Sequence, residues 1–306
     1  LGAVADKATL LAANYHDSMV PVGDINFDAL DTITIAGEVH HLTIQAQRQF
    51  CNRLRTPHSY LSRCQEDLQA ENLNRWLRQE KNAELFIRFD GDEIRAIFTS
   101  RYQPLDNIQL IEHLFHMGYD YDDEVQARLD SDFMSISISD ARLQFDATGT
   151  KDIIHPGISI SNSEVGLSAV TLGLYMKRLA CLNGCISTTR YSSSRRHIST
   201  DILYDFPDMI SAATAELAKQ RDQFQFSVAS EVDNPESTID SINRQFQLVE
   251  EERAAVQFGY MQEPGHTMFH VINAYTKAPQ MGGLSAHSVN RLERVGGHVL
   301  SMVRPN

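Results

Sequence analysis

At 306 residues, 42% apolar and 22% charged, the chain is long enough for one large or two moderate cores and has the composition of a globular protein. No apolar run reaches the roughly 18 residues that a bilayer-spanning helix requires, so no membrane partner is expected. A formal net charge of −13 excludes general attraction of the whole chain to nucleic acid or anionic lipid and leaves only a local basic groove for such a partner.

Acid is concentrated around Tyr119–Asp132 and Glu231–Glu252. Four cysteines (Cys51, Cys64, Cys181, Cys185) do not form a disulfide scaffold in a chain this long and fit a reducing cytoplasm. The first residues, LGAVADKATLLAANYHDS, lack a basic stretch followed by a long apolar core, so no signal peptide is expected and the location reads as cytoplasmic.

In chain order, residues 1–40 read as a partly extended arm. Within it, Asp24–Val39 carries short alternating runs (Ile33, Ile35, Val39) that predict a strand or two. Thr43 opens a helix with Ile44, Phe50, Cys51 and Leu54 on one face, ending near Arg55 because Thr56 precedes Pro57. Two further helical pieces carry Leu61, Cys64 and Leu68, then Leu73, Trp76 and Leu77. Glu84–Phe89 and Asp92–Thr99 flank Asp90-Gly91, a preferred two-residue hairpin turn. That register sets Ile87 opposite Ile94 and Leu85 opposite Ala96, with Phe89 and Phe98, toward the core. It leaves Arg88 opposite Glu93 and Phe86 opposite Arg95 on a mixed face.

Asp106 caps a helix with Gln109 as its capping-box partner and Ile108, Ile111, Leu114 and Phe115 as its apolar face. Val125–Phe145 alternates, with Met134, Ile136 and Ile138 against Ser135, Ser137 and Ser139, and predicts strands. Further strands are expected in Ile153–Ile160 and Leu167–Leu182, the latter turning at Asn183-Gly184. Pro207–Val232 and Pro235–Phe258 predict two long helices, and His266–Ala278 and Ser285–Val303 a C-terminal pair. The expected plan is α+β. A central, mostly antiparallel sheet carries N-terminal helices and a C-terminal helical region. The expected units are an arm (1–40), a core domain (41–205) and a helical region (206–306) packed on the core.

Chemistry-bearing patterns are few. Cys181 and Cys185 flank a tight turn without the second ligand pair that a structural zinc site needs, so no metal and no cofactor are expected. His113 and His116 lack the flanking glutamate pattern of a zinc helix, and Asp120, Asp122, Asp123 and Glu124 lack the glycine and distal glutamate of a calcium loop. Asn162, Ser163 and Glu164, with Asn183, form a candidate polar site: Glu can act as a base and Asn as an oxyanion donor. The same Asn-Ser-Glu ahead of Gly166 also suits a turn that caps its own backbone.

The basic segment is the stronger hint. Lys177, Arg178, Arg190, Arg195, Arg196 and His197 interleave with Tyr175 and Tyr191 and with small serines, the composition of a surface that tracks a phosphate backbone. Arg101 and Tyr102 join the candidate nucleic-acid residues if their block meets this one in space.

The ordered blocks Gln49-Phe50-Cys51-Asn52-Arg53-Leu54, Ser100-Arg101-Tyr102, Leu105-Asp106-Asn107, Asn162-Ser163-Glu164-Val165-Gly166, Cys181-Leu182-Asn183-Gly184, Arg195-Arg196-His197 and Asn273-Ala274-Tyr275-Thr276 resemble a family of phage- and plasmid-encoded proteins that share a domain of unknown function. The resemblance implies a cytoplasmic protein of a mobile genetic element and brings no activity with it. Three readings follow. One is a nucleic-acid-binding protein, of single-strand annealing or recombination type, acting on single- or double-stranded DNA and able to form a homo-oligomer. The second is a metal-dependent nuclease or hydrolase using Glu164 and the acidic loop. The third is a non-catalytic structural or regulatory protein.

Overall fold

The computed structural model describes residues 1–146, 149, 152–179, 183–187, 194–195 and 217–304. Its elements run α1 (Gly2–Leu11), β1 (Tyr15–Pro21), β2 (Ile25–Phe27), β3 (Thr32–Ile35), β4 (Glu38–Leu42), α2 (Ile44–Arg53), α3 (His58–Leu61) and α4 (Glu66–Leu77). Next come the hairpin β5 (Glu84–Asp90) and β6 (Glu93–Thr99), α5 (Asn107–His116), β7 (Gln126–Leu129), β8 (Met134–Ser139), β9 (Phe145–Asp146), β10 (Ile153–Asn162) and β11 (Val170–Arg178). Then follow β12 (Asn183–Ser187), β13 (Ser194–Arg195), α6 (Leu217–Ala229), α7 (Pro235–Gln245), α8 (Glu250–Gln262), α9 (Met268–Lys277) and α10 (Ala286–Met302). This is the expected α+β class, and no described helix is long and apolar enough to cross a membrane.

Among the described residues the strands form two sheets. The first has the order β1-β5-β6-β4-β3-β2 and is antiparallel except where β4 runs parallel to β6. The second has the order β12-β11-β10-β8-β7, with β9 on β10 and β13 on β11. Residues 15–42, expected as an arm with a strand or two, therefore supply four of the six strands of the first sheet. Their apolar residues Val20, Ile25, Phe27, Ile33 and Leu42 fill one core with Phe50, Leu73, Leu85, Ile87 and Ile94. Alternation in runs this short is too brief to distinguish an arm from paired strands.

The hairpin is present, but its turn is Gly91-Asp92, one residue later than the expected Asp90-Gly91. Asp90 pairs with Glu93, and Gly91 takes φ of 54°, a conformation glycine enters without steric cost. Phe89 pairs with Ile94, but Arg88 pairs with Ala96, so Arg95 is the extra residue of a bulge. Beyond it Ile87 faces Ile97, Leu85 faces Thr99, and Phe86 faces Phe98, replacing the expected pairs. The bulge puts Arg95 on the same side as Arg88, and both arginines are buried.

The second sheet is covered on both faces. Ile136, Ile158, Ile160, Val170 and Leu172 pack against Leu110, Ile111 and Leu114 of α5 and against α1. The opposite, hydroxyl face holds buried Ser135, Ser137, Ser159, Ser161 and Thr171, with Ser137 and Ser159 hydrogen bonded at 2.9 Å. Helix α10 lies over this face, its Arg294 Nη1 donating to Thr171 Oγ1 at 2.8 Å. Alternation along β8 predicts the strand, and a helix from the far end of the chain covers its serine face.

The expected long helix Pro235–Phe258 is two helices. Gln247 adopts φ of 51°, and the Glu252 carboxylate accepts from Val249 N to start α8. Among the C-terminal helices, Val271, Ile272, Ala274 and Tyr275 form a third core with Leu292, Val295 and Val299. The first part of the expected helix from Pro207 lies outside the described residues.

Asn183-Gly184 is not the turn between β11 and β12. Gly184 is inside β12, paired with Lys177, and a Cβ there would stand 2.1 Å from the Tyr175 ring. Tyr175 is fully buried, and its hydroxyl donates to Gln126 Oε1 at 2.6 Å, so the ring has no room to retreat. Gly184→Ala should therefore destabilise by about 1–3 kcal/mol through overpacking. Urea denaturation should show a lowered midpoint with an unchanged slope; an unmoved midpoint would mean that the ring relocates freely.

Candidate functional site

Asn162-Ser163-Glu164-Val165-Gly166, the expected polar site, is where the two sheets lock together. Glu164 Oε1 accepts from Asn107 N, at the first turn of α5, at 2.7 Å, and Oε2 accepts from Arg95 Nη2 at 2.9 Å. The helix start and the guanidinium both favour a carboxylate at this point. Arg95 Nη2 also donates to Ser131 O at 2.9 Å, and the guanidinium stacks 3.4 Å from the centre of the Tyr15 ring. Arg88 ties Asp17 of β1, at 2.9 Å, to Asp106 and to the Glu164 carbonyl.

Asn162 Nδ2 donates to Leu105 O and Asn107 Oδ1, both at 2.9 Å, and Ser163 Oγ donates to Asp132 O at 2.8 Å. Gln45 and Gln49 both reach Val165 O, and Gly166, at φ of 76°, sits against Phe98. Glu164 is only 4% exposed. Its two oxygens are committed to partners inside the protein, so this group holds strands and a helix together rather than presenting a base to substrate. Asn183, proposed with it, is placed only by its backbone pairing with Arg178 on the far side of β11.

The candidate cations are distributed differently from their sequence grouping. Arg178 is an interior strut: Nε donates to Asp152 at 2.8 Å and Nη1 to Glu263 at 2.6 Å, over the Phe269 ring, while Lys277 also pairs with Glu263 at 2.9 Å. Lys177 makes only a surface pair with Glu124 at 3.3 Å. Arg101 is exposed, but Tyr102 stacks on Phe98 at 3.8 Å, and burial pushes its phenol up to about 12. Tyr102 is therefore built into the sheet junction and does not offer a free ring. Arg190, Tyr191, Arg196, His197 and Cys181 lie outside the described residues. The backbone of β13 places Arg195 opposite Val170 and Ser194 opposite Thr171. Cys185 packs in the C-terminal core, and among the described residues no three His, Cys, Asp or Glu side chains converge to hold a metal ion.

A second arrangement, absent from the sequence reading, stands out on α10. His287, Asn290, Arg291, Arg294 and His298 recur at helical spacing along one stripe and line a recess of about 470 Å³ over the hydroxyl face of the second sheet. Ser161, Thr171 and Ser168 form part of its wall, and Phe133 and Phe246 stand edge-on to His287 and His298. Among the described residues no Asp or Glu lines it. Arg291 is anchored by Glu252 at 2.8 Å and by Phe246 O at 2.6 Å.

Arg294, half-buried, differs from Arg88, Arg95 and Arg178, which all pair with carboxylates. Among the described residues it donates to the neutral Thr171 hydroxyl and has no carboxylate partner, and burial lowers its pKa. Asn290 is 4% exposed, and its Nδ2 has no partner; the buried Ser168 Oγ likewise has none. A buried amide without a partner carries a desolvation cost of about 1–3 kcal/mol, and unsatisfied donors around an unneutralised guanidinium make a site for an anion. Burial and the Arg291 charge push His287 below its ordinary value, so it is neutral near pH 7. The 3–4 spacing of polar residues on the last helix was the available sequence signal. It was read only as helix periodicity.

No protein-family model, no curated protein and no solved structure matches this chain.

Two predictions follow from this geometry. Glu164→Gln should cost about 3–5 kcal/mol, because Arg95 is left as an unmatched buried charge. Adding Arg95→Met should recover part of that loss in a denaturation double-mutant cycle, and strict additivity would refute the coupling. Next to the recess, Glu293 is buried at α10, and burial pushes it up to about 8, with Arg128 opposing the shift. The folded state thus keeps a proton that the unfolded chain releases near 4.5. The stability from this group is fully present below the unfolded value and is lost as pH rises through about 8. Glu293→Gln should flatten the fall in unfolding free energy across that window, and a profile parallel to the wild type would rule the linkage out.

Proposed function

We propose that this chain is a nucleic-acid-binding protein that grips phosphate in the α10 recess, with the Ser-rich basic segment alongside. The observation that carries this reading is the placement of β13. Thr171, whose hydroxyl holds Arg294, has Ser194 as its strand partner, so the backbone of Ser194 and Arg195 runs next to the recess. A cationic pocket with Ser194-Arg195, two residues of the basic segment, on the neighbouring strand suits a partner with a row of phosphates. Net charge −13 confines such binding to this locality. A place in a phage or plasmid element, including single-strand annealing or recombination, belongs to the same proposal and rests on the resemblance of the sequence blocks. The hydrolase reading is the weaker one because Glu164, its intended base, is committed to Arg95 and Asn107.

Fluorescence anisotropy with a labelled single strand across a salt series tests the reading. Arg294→Met should weaken binding roughly ten- to a hundredfold, the worth of a charge-assisted hydrogen bond of about 1.5–3 kcal/mol. It should also make the log–log salt slope shallower by roughly 0.7, the value for one single-strand phosphate contact. An unchanged affinity, with the fold verified by circular dichroism, would remove the recess from the interaction. No binding by the wild type at low salt would remove nucleic acid as the partner.

A further inference from the structure

We infer that the recess recognises a terminal phosphate monoester, the phosphorylated end of a strand or of a single nucleotide, in preference to an internal phosphodiester. This rests on the nucleic-acid reading for its polymer form and on the recess alone for its chemistry.

The first argument is donor count and direction. Arg294 and the Asn290 amide approach from α10, and the Ser168 hydroxyl from the loop before β11. Thr171 and Ser161, hydrogen bonded to each other at 2.6 Å, form the floor beneath Arg294. Donors on different walls suit a tetrahedral group with oxygens on several sides better than a planar carboxylate, which offers two oxygens in one plane. A phosphate monoester carries about −1.5 to −2 charge near pH 7 and three strong acceptor oxygens. An internal phosphodiester has two free oxygens and a single negative charge.

The second argument is depth and room. The unpartnered Asn290 Nδ2 belongs to a residue only 4% exposed, so an oxygen must enter the recess to meet it. The volume, about 470 Å³, lies toward the lower end of the ~300–1,000 Å³ typical of small-ligand pockets. A chain end can enter such a space. An internal phosphate would have to bring a nucleoside in on each side. Phe133, Ala169, Phe246 and Val295 give the recess apolar wall beyond the donors, where the organic part of an ester would rest.

The charge balance agrees. Arg291 is already matched by Glu252, and His287 is neutral near pH 7, so Arg294 supplies the unmatched positive charge. Full neutralisation of a dianion would require one further proton, on the ligand or on a histidine. Binding should therefore take up a fraction of a proton near neutral pH.

The test compares four probes on the full chain: one short oligothymidylate bearing a 5′-phosphate, a 3′-phosphate or no terminal phosphate, and free thymidine 5′-monophosphate. Isothermal titration calorimetry in two buffers of different ionisation heat also reads proton uptake. A terminal phosphate should tighten strand binding at least tenfold, and Arg294→Met should erase the difference. Asn290→Leu provides a second variant that does not depend on a costly change: it removes an unpaired buried donor, so it should preserve or raise the melting temperature while reducing the phosphate preference. Equal affinity for phosphorylated and unphosphorylated strands would overturn the inference and leave the nucleic-acid reading standing. Arg294-dependent binding of the mononucleotide without binding of any strand would uphold the terminal-phosphate site and overturn nucleic acid as its source. Failure of all four probes would overturn both.

Discussion

Two sheets from different parts of the chain meet at one buried carboxylate. Glu164, at the turn after β10, faces Arg95 from the hairpin of the first sheet and the opening amide of α5. Arg88 comes from the neighbouring strand to the Glu164 carbonyl and reaches Asp17 and Asp106 with its remaining donors. Charges in such a place cost more to desolvate than their attraction returns unless nearly every donor and acceptor is matched. Most groups are matched here, Arg95 Nη1 and Asn162 Oδ1 being exceptions, and the matching fixes orientation: a sheet shifted by one residue would leave two guanidinium groups buried without carboxylate partners. The ion network thus defines how the sheets meet, while the apolar cores on either side supply most of the favourable free energy through burial.

The same junction explains why the sequence was legible in parts and misleading in others. Local signals carried through. Thr43 caps α2 through Ala46 N, Asp106 and Gln109 form their capping box, and β8, β10 and β11 alternate as strands. Signals that depended on distant chain did not. The hairpin register slipped because Arg95 is expelled from the pairing into a bulge, and what pulls it out, Glu164, is 69 residues away. What covers the serines of β8 was not legible from their alternation, because the helix that does so lies more than a hundred residues further on. Asn183-Gly184 resembled a turn dipeptide, but its glycine is required by the Tyr175 ring beside it. Of the candidate site, the sequence supplied the residue types of the NSEVG turn and of the basic segment. It could not separate cations that would be matched inside the protein from those that would not.

That separation decides where function can reside. The chain has 40 acidic side chains and 27 lysines and arginines, so a cation in its interior has every statistical opportunity to find a carboxylate. Arg88, Arg95 and Arg178 all do so. Among the described residues Arg294 has no carboxylate partner and rests on a neutral hydroxyl, beside an Asn290 amide nitrogen and a Ser168 hydroxyl that have no partner. One unmatched donor can be an accident of packing. Two that converge beside Arg294 on one recess, one from α10 and one from the loop before β11, represent a stability cost borne together, and such a cost persists in a fold when something outside the chain relieves it. The net negative charge sharpens this argument: the anion that enters must be held by short-range hydrogen bonds to these few groups, because the field of the rest of the molecule repels it.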